Sequence, residues 1–274
     1  MTPLNATSGT TPQTVCGHFG IRYSPFTDTF PIAEPFATVG ETLLLDRMQM
    51  LLGQGKCLSV TGEPGSGKSM LLKTLLAGLE QKSFRFAYVP YSGLKPNTLL
   101  REICDRLAID TAGRGSLLGR LHKAFSRKED RPYTVIVLDE AHAMPGEALL
   151  ELFSLTQDAA QRTASASLVL CGHPVLEKTL ALDIHAAIKT RIAARLSLRP
   201  LQGEEVDAFI AFRLKAAKAS PDLFTKDALK LIELDSKGNR RVIMNLAGNC
   251  MDLAVLRQEK LITGELAREV CDQA

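Results

Sequence analysis

The chain has 274 residues, 45% hydrophobic and 23% charged, which is enough apolar material for one large core or two small ones and too little charge for a disordered chain. Its 20 glycines and 13 prolines follow no repeating period, which excludes collagen-like and solenoid folds. The longest apolar runs, Tyr133 to Leu138 and Ser167 to Cys171, fall far below the ~20 residues that cross a bilayer, and a net charge of +3 neither demands nor forbids a nucleic-acid partner.

Met1 to Thr14 are rich in Thr, Pro and Ser and lack the basic and apolar regions of a secretory signal, so residues 1–17 are expected to form a flexible tail. Cys16, Cys57, Cys104, Cys171, Cys250 and Cys271 form no CxxC pair and stand beside no histidine at metal-ligand spacing. They read as small buried hydrophobes of a reducing, cytoplasmic compartment, with no metal cluster and no membrane insertion expected.

Val39, Gly40 and Glu41 precede the first helix, and Lys56 to Thr61 read as a short buried strand. That strand runs into Gly62-Glu63-Pro64-Gly65-Ser66-Gly67-Lys68-Ser69 and then a helical stretch from Met70 to Leu79, the order of a Walker A motif. Glycines allow backbone N–H groups to turn inward around phosphate oxygens at the positive end of a helix. The residues expected at the phosphates of ATP are therefore Gly62, Glu63, Pro64, Gly65, Ser66, Gly67, Lys68, Ser69 and Met70. Lys68 is expected to neutralise the β- and γ-phosphates and Ser69 to hold Mg²⁺.

Phe84 to Pro90 form the next expected strand, after which Lys95, Asn97, Arg114, Ser116 and Arg120 could donate to phosphate oxygens. Between Arg114 and Arg131 six basic residues face two acidic ones, a pattern that fits either a backbone-tracking DNA surface or a solvated helix face. Tyr133 to Leu138 is a continuous apolar and β-branched strand that ends in Asp139 and Glu140, the form of a Walker B strand. Asp139 is expected to bind Mg²⁺ through water and Glu140 to polarise the attacking water, while His142 reads as a local polar contact.

Leu168 to Gly172 is expected as a fourth strand and Ala194 to Leu198 as a fifth, and strands alternating with amphipathic helices imply an α/β fold with a parallel sheet sandwiched by helices. Four helical stretches follow, Glu204 to Ala219, Thr225 to Leu234, Arg240 to Arg257 and Thr263 to Cys271. The expected division is a nucleotide-binding domain over 18–202 and a small all-helical domain over 203–274.

On these residues the chain resembles the AAA+ ATPases, P-loop NTPases with a helical lid, and within them the ExeA type. The resemblance runs from about Cys16 to Val270. It rests on Phe19-Gly20 with Pro25-Phe26, Thr61 to Ser69, Leu138-Asp139-Glu140-Ala141-His142, Leu198-Arg199-Pro200-Leu201 with Glu204-Glu205, and Gly238-Asn239-Arg240-Arg241. It implies that His173 stands where a γ-phosphate sensor sits, although the family commonly has Gln there. It implies an arginine finger at Arg191, with Arg195 in reserve, reaching a neighbouring subunit's nucleotide, and a lid sensor at Arg241 beside Arg240. The alternative for Arg191 and Arg195 is a helix-surface arginine. Phe19 to Phe26 would fold over the adenine or serve as plain core.

Two functions are similar in organisation to this pattern. One is a transposition regulator like the MuB, TniB and TnsC group, an ATP-dependent ring or filament on duplex DNA that recruits a transposase. The other is the secretion ATPase for which the ExeA type is named. Secretion members continue past the lid into further domains whereas this chain ends just after it, which favours the transposition reading. A polymer-pulling motor is disfavoured by the lack of an aromatic pore loop.

Overall fold

In a computed structural model, residues 12–29, 34–80, 82–91, 93–112, 115–126, 132–158, 163–182 and 186–273 are described. Two units account for the chain, one spanning Ala37–Arg199 and the other combining Met1–Phe36 with Pro200–Ala274.

The first unit begins with helix α2 (Val39–Gly53), which follows helix α1 (Pro12–Phe19) of the second unit. Thr38 starts α2 through a reciprocal cap: its Oγ1 accepts from Glu41 N at 3.2 Å and its own N–H donates to Glu41 Oε2 at 2.8 Å. Val39, Gly40 and Glu41 therefore lie in the first turn of the helix and not before it.

Strand β1 (Cys57–Thr61) leads through the glycine-rich loop into α3 (Lys68–Gly78), then β2 (Phe84–Pro90), α4 (Pro96–Arg106), α5 (Leu117–Phe125) and β3 (Tyr133–Asp139). After α6 (Gly146–Ser154), a short antiparallel pair, β4 (Gln157–Asp158) and β5 (Thr163–Ala164), precedes β6 (Ala166–Gly172). The unit closes with α7 (Val175–Ala181), α8 (Ala186–Lys189) and β7 (Ile192–Ser197). The fourth and fifth main strands thus start two residues earlier than expected, and the fifth ends at Ser197.

Five strands form one parallel sheet in the order β2-β3-β6-β1-β7. One face packs Val60, Val137 and Val169 against Met48 and Leu52 of α2 and Leu72 of α3. The other packs Ile136, Leu138 and Leu170 against Ile103, Leu121 and Phe153 of the remaining helices. Strands buried on both faces explain the unbroken apolar runs in the sequence, and each fully buried aliphatic side chain contributes about 1.5–3 kcal/mol.

The second unit is helical: α9 (Glu204–Ala216), α10 (Lys226–Ser236), α11 (Arg240–Leu256) and α12 (Gly264–Asp272) around Ile232, Leu246 and Cys250. Its core also takes Val15 of α1 together with Ile21 and Phe26. Buried Arg213 fastens this N-terminal segment, with Nε donating to Pro25 O at 2.6 Å and Nη2 to Thr27 O at 3.0 Å. His18 Nε2 lies 2.7 Å from Glu259 O.

This division differs from the one expected at 17/18 and 202/203. Helix α1 occupies part of the expected tail, and residues 18–29 pack with the helical unit because their apolar side chains complete its core. Phe26 meets Phe224 edge-on at 5.9 Å, so it serves that core.

The Gly238-Asn239 turn has a structural cause. Gly238 has φ +74°, and a Cβ there would stand 1.8 Å from the Leu201 carbonyl oxygen. Asn239 Oδ1 then caps α11, accepting from the N–H groups of Arg241 at 3.1 Å and Val242 at 3.3 Å.

Candidate nucleotide-binding site

Strand order decides what meets at the carboxyl edge of the sheet. Because β3, β6 and β1 are neighbours, Asp139, Gly172 and Thr61 end side by side, where parallel sheets bind ligands.

The loop from Gly62 to Gly67 requires its glycines. Gly62 N donates to Gly172 O at 3.2 Å, and a Cβ at Gly62 would lie 2.8 Å from Ser66 Oγ and 2.9 Å from Leu198 O. Gly65 and Gly67 have φ of +80° and +104°, a region that side chains rarely adopt. Lys68, 7% exposed, donates from Nζ to the carbonyls of Gly62 at 2.9 Å and Glu63 at 3.1 Å. Met70, the third residue of α3, is exposed.

Ser69 Oγ donates to Asp139 Oδ2 at 2.8 Å, bringing the two expected Mg²⁺ residues together. Asp139 is buried, and its Oδ1 accepts from Glu140 N at 3.0 Å. A second donor reaches the same Oδ2, the Tyr88 hydroxyl at 2.7 Å. Burial, and then this bond, push the Tyr88 phenol well above the usual tyrosine range, so it stays a donor. Cys171 of β6 also faces Asp139. Its thiol is pushed up by burial first and by the carboxylate second.

Glu140 sits just past β3 with φ +57°, a left-handed conformation that costs a non-glycine residue about 1–3 kcal/mol and recurs at functional sites. Its half-exposed carboxylate lies 3.3 Å from His142 Nδ1. The same nitrogen lies 3.3 Å from the His173 N–H. An unprotonated Nδ1 accepts from His173, and a protonated one donates to Glu140.

His173 follows β6, and its Nδ1 accepts from Val175 N at 3.3 Å, which places its proton on Nε2, 3.1 Å from Glu63 Oε2. The γ-phosphate-sensor candidate is thereby tied to the phosphate loop.

The arginine-finger candidates both have partners within the chain. Arg191 donates from Nη1 to Phe153 O at 2.9 Å, at the end of α6. Arg195 lies 3.3 Å from Glu177 Oε2, whose other oxygen accepts from buried Ser59 Oγ at 2.6 Å. Arg241 is an exposed residue in the first turn of α11 in the helical unit.

Of the five residues expected at DNA, Lys95 and Asn97 are exposed at the start of α4. Ser116 caps α5 by accepting from Gly119 N at 3.1 Å, and Arg120 holds the preceding loop through Asp110 O at 2.9 Å, so both carry local structure. Arg114 lies outside the described residues.

The residues present fit a nucleotide phosphate chain with a divalent cation. The loop is a cradle that a Cβ would fill, and Ser69 with Asp139 is a hard oxygen donor pair suited to Mg²⁺.

Residues 50–180 match the AAA_22 family, an AAA domain. General secretion pathway protein A of Aeromonas hydrophila is 30% identical over 219 residues, 78% of this chain. These matches support an AAA+ ATPase of the ExeA type. The chain spans 40% of the length of that relative. Among solved structures it shares its fold with the Cdc6p protein of Pyrobaculum aerophilum (TM-score 0.72, 22% identity, 91% of this chain and 70% of that one). It also shares it with the Aeropyrum pernix ORC1 protein in complex with DNA (TM-score 0.64, 19% identity, 91% and 68%).

Sequence reasoning singled out Lys68, Ser69, Asp139 and Glu140 from motif spacing, and they lie together at the carboxyl edge of the sheet; it did not single out Tyr88, which bonds the same carboxylate. The only signal for Tyr88 was its place two residues before the end of the strand beside the Walker B strand.

Proposed function

We propose that this chain is an Mg²⁺-dependent ATPase whose nucleotide state controls self-assembly on duplex DNA, as a helper that recruits or regulates a transposase. The observation that carries the ATPase reading is the meeting of Lys68, Ser69, Asp139 and Glu140 at one edge of the sheet. Backbone N–H groups of the loop and the Lys68 ammonium bind and orient the β- and γ-phosphates. Mg²⁺, held by Ser69 and through water by Asp139, supplies charge neutralisation when bound. Glu140 takes up a proton from the attacking water, and His173 responds to the γ-phosphate from its place beside Glu63. Arg191 of one subunit, released from Phe153, completes a neighbour's site, and Arg195 is the alternative. Arg241 contributes to nucleotide sensing on the strength of the sequence resemblance. Hydrolysis then acts as a timer that loosens the assembly. Such a cycle belongs in the cytoplasm.

The DNA reading is supported by exposed Lys95 and Asn97 and by the fold shared with a protein solved on DNA. A second reading, a secretion and envelope-assembly ATPase, is favoured by the similarity to general secretion pathway protein A. Binding to labelled duplex DNA with ATP and Mg²⁺, with ADP and without nucleotide, at two salt concentrations, separates them. ATP-dependent, salt-sensitive binding with growing assemblies is the expected result. Intact hydrolysis with no DNA binding in any nucleotide state transfers the assignment to the secretion reading.

A further inference from the structure

We propose that Tyr88 is a positioning residue for the divalent cation, holding the Asp139 carboxylate in the orientation that receives it; this rests on the nucleotide-site reading above. Two hydrogen bonds converge on Oδ2 of that carboxylate, from Ser69 Oγ at 2.8 Å and Tyr88 Oη at 2.7 Å, and the Glu140 N–H donates to Oδ1 at 3.0 Å, with the Cys171 thiol of β6 as a further partner. Ser69 and the Glu140 amide belong to the two phosphate-site motifs, whereas Tyr88 comes from a different strand.

The strand register explains how it arrives. Tyr88 pairs with Val137 across the parallel β2–β3 ladder, and Val137 and Asp139 share one face of β3. A side chain at position 88 therefore starts beside Val137 and needs the length of a phenol to reach Asp139, two residues further on. The Tyr88 ring packs against the apolar cluster of Val60, Val137 and Leu72, so its lower part serves packing and its hydroxyl serves the carboxylate.

This division of labour has a chemical consequence. Ser69 must direct a lone pair to the cation while its O–H still donates to Asp139. A second donor on Oδ2 keeps the carboxylate from rotating as Ser69 adjusts. Outer partners of this kind, which fix a ligand without touching the metal, typically change metal affinity by about 10- to 100-fold when removed. Tyr88 has the same geometric role toward Asp139, which reaches the cation through water.

Tyr88→Phe removes the hydroxyl and retains the ring, and thermal melting of the variant verifies the fold. The full chain is titrated with a fluorescent ATP analogue in EDTA and in Mg²⁺, and with Mn²⁺ in the presence of nucleotide followed by electron paramagnetic resonance. The expected result is unchanged metal-free nucleotide affinity, with the cation concentration for half-maximal nucleotide binding raised on the order of 10-fold and weaker Mn²⁺ binding to match. A Tyr88→Phe protein with wild-type cation dependence in both titrations overturns the proposal, as does an equal loss of affinity with and without metal, which marks a packing role only. If the wild-type protein gains no nucleotide affinity from Mg²⁺, the underlying site reading fails, and this proposal with it. Ser69→Ala serves as the reference, since its loss of cation dependence shows that the assay reports on the site.

Discussion

Ser69 and Asp139, 70 residues apart in the chain, are joined by a 2.8 Å hydrogen bond that links the first turn after the phosphate loop to the end of the β3 strand. Lys68, the residue before Ser69, is bonded to the loop carbonyls and not to an acidic partner. The two neighbours are thus expected to separate in function. Lys68→Ala should weaken nucleotide binding by about 10- to 100-fold with or without metal, the loss of a charge-assisted hydrogen bond of about 1.5–3 kcal/mol. Asp139→Asn should remove chiefly the gain that Mg²⁺ adds. Calorimetric titrations in EDTA and in Mg²⁺ check both.

Glu140 is expected to matter for turnover and not for binding. Glu140→Gln should slow ATP hydrolysis by about 10²- to 10⁴-fold, the range of a lost general base, while nucleotide affinity stays near wild type. Single-turnover hydrolysis alongside binding measures the split, and normal turnover in the variant would remove Glu140 from its assigned role.

The Ser59–Glu177–Arg195 chain separates a structural arginine from a functional one. Glu177→Ala strands the hydroxyl of Ser59, which is fully buried, at a cost of about 1–3 kcal/mol. Arg195→Ala removes only a partly exposed ion pair, worth below about 1 kcal/mol. Denaturant unfolding should rank them in that order. If Arg195→Ala instead leaves stability intact but abolishes hydrolysis in assembled protein, Arg195 is the finger and Arg191 is not.

Two glycines of the helical unit are expected to respond oppositely to alanine. Gly238→Ala collides with the Leu201 carbonyl in a left-handed backbone and should cost about 3 kcal/mol or more. Gly248, inside α11, would place its Cβ no nearer than 3.6 Å to Phe26, so Gly248→Ala should be neutral or gain up to about 1 kcal/mol in helix propensity. Thermal melts of the two variants decide it.

The cysteines predict an alkaline limit. Burial pushes the Cys250 thiol up to about 12, above the ~8.5 of an unfolded cysteine. The unfolded chain therefore ionises first, and the stability that this thiol contributes is full below about pH 8.5 and is lost as pH rises toward 12. Denaturant midpoints should fall between pH 8 and 10, less steeply in Cys250→Ala. In the native protein, alkylation should reach the half-buried Cys16 and Cys271 well before the buried Cys57, Cys104, Cys171 and Cys250. Peptide mass analysis after timed modification reads this order.

The phosphate loop and the β3 strand were legible in the sequence because each is contiguous: backbone conformation and strand burial impose glycines and β-branched residues directly on neighbouring positions. The five main strands and four late helices were legible for the same reason. Tyr88 was not, because its bond to Asp139 depends on the register between two strands whose paired positions lie 49 residues apart, with Phe84 and Arg85 facing Tyr133 and Thr134. Arg120 and Ser116 looked like phosphate donors because composition records charge and polarity but not the loop carbonyl or helix end that each one satisfies. The Thr- and Pro-rich start likewise concealed α1, whose buried Val15, with Cys16 and Phe19 beside it, packs on the helical core.

That both ends of the chain build one helical unit has a consequence for biogenesis. Val15, Ile21 and Phe26 leave the ribosome with nothing to pack on until α9 to α12 have been made, by which time the whole of Ala37–Arg199 is available to fold. The α/β unit is in this sense an insertion within the helical one. Recapture of the early segment by the late helices then closes a long loop at an entropic cost, so termination between Arg199 and the later helices leaves Val15, Ile21 and Phe26 without their full core.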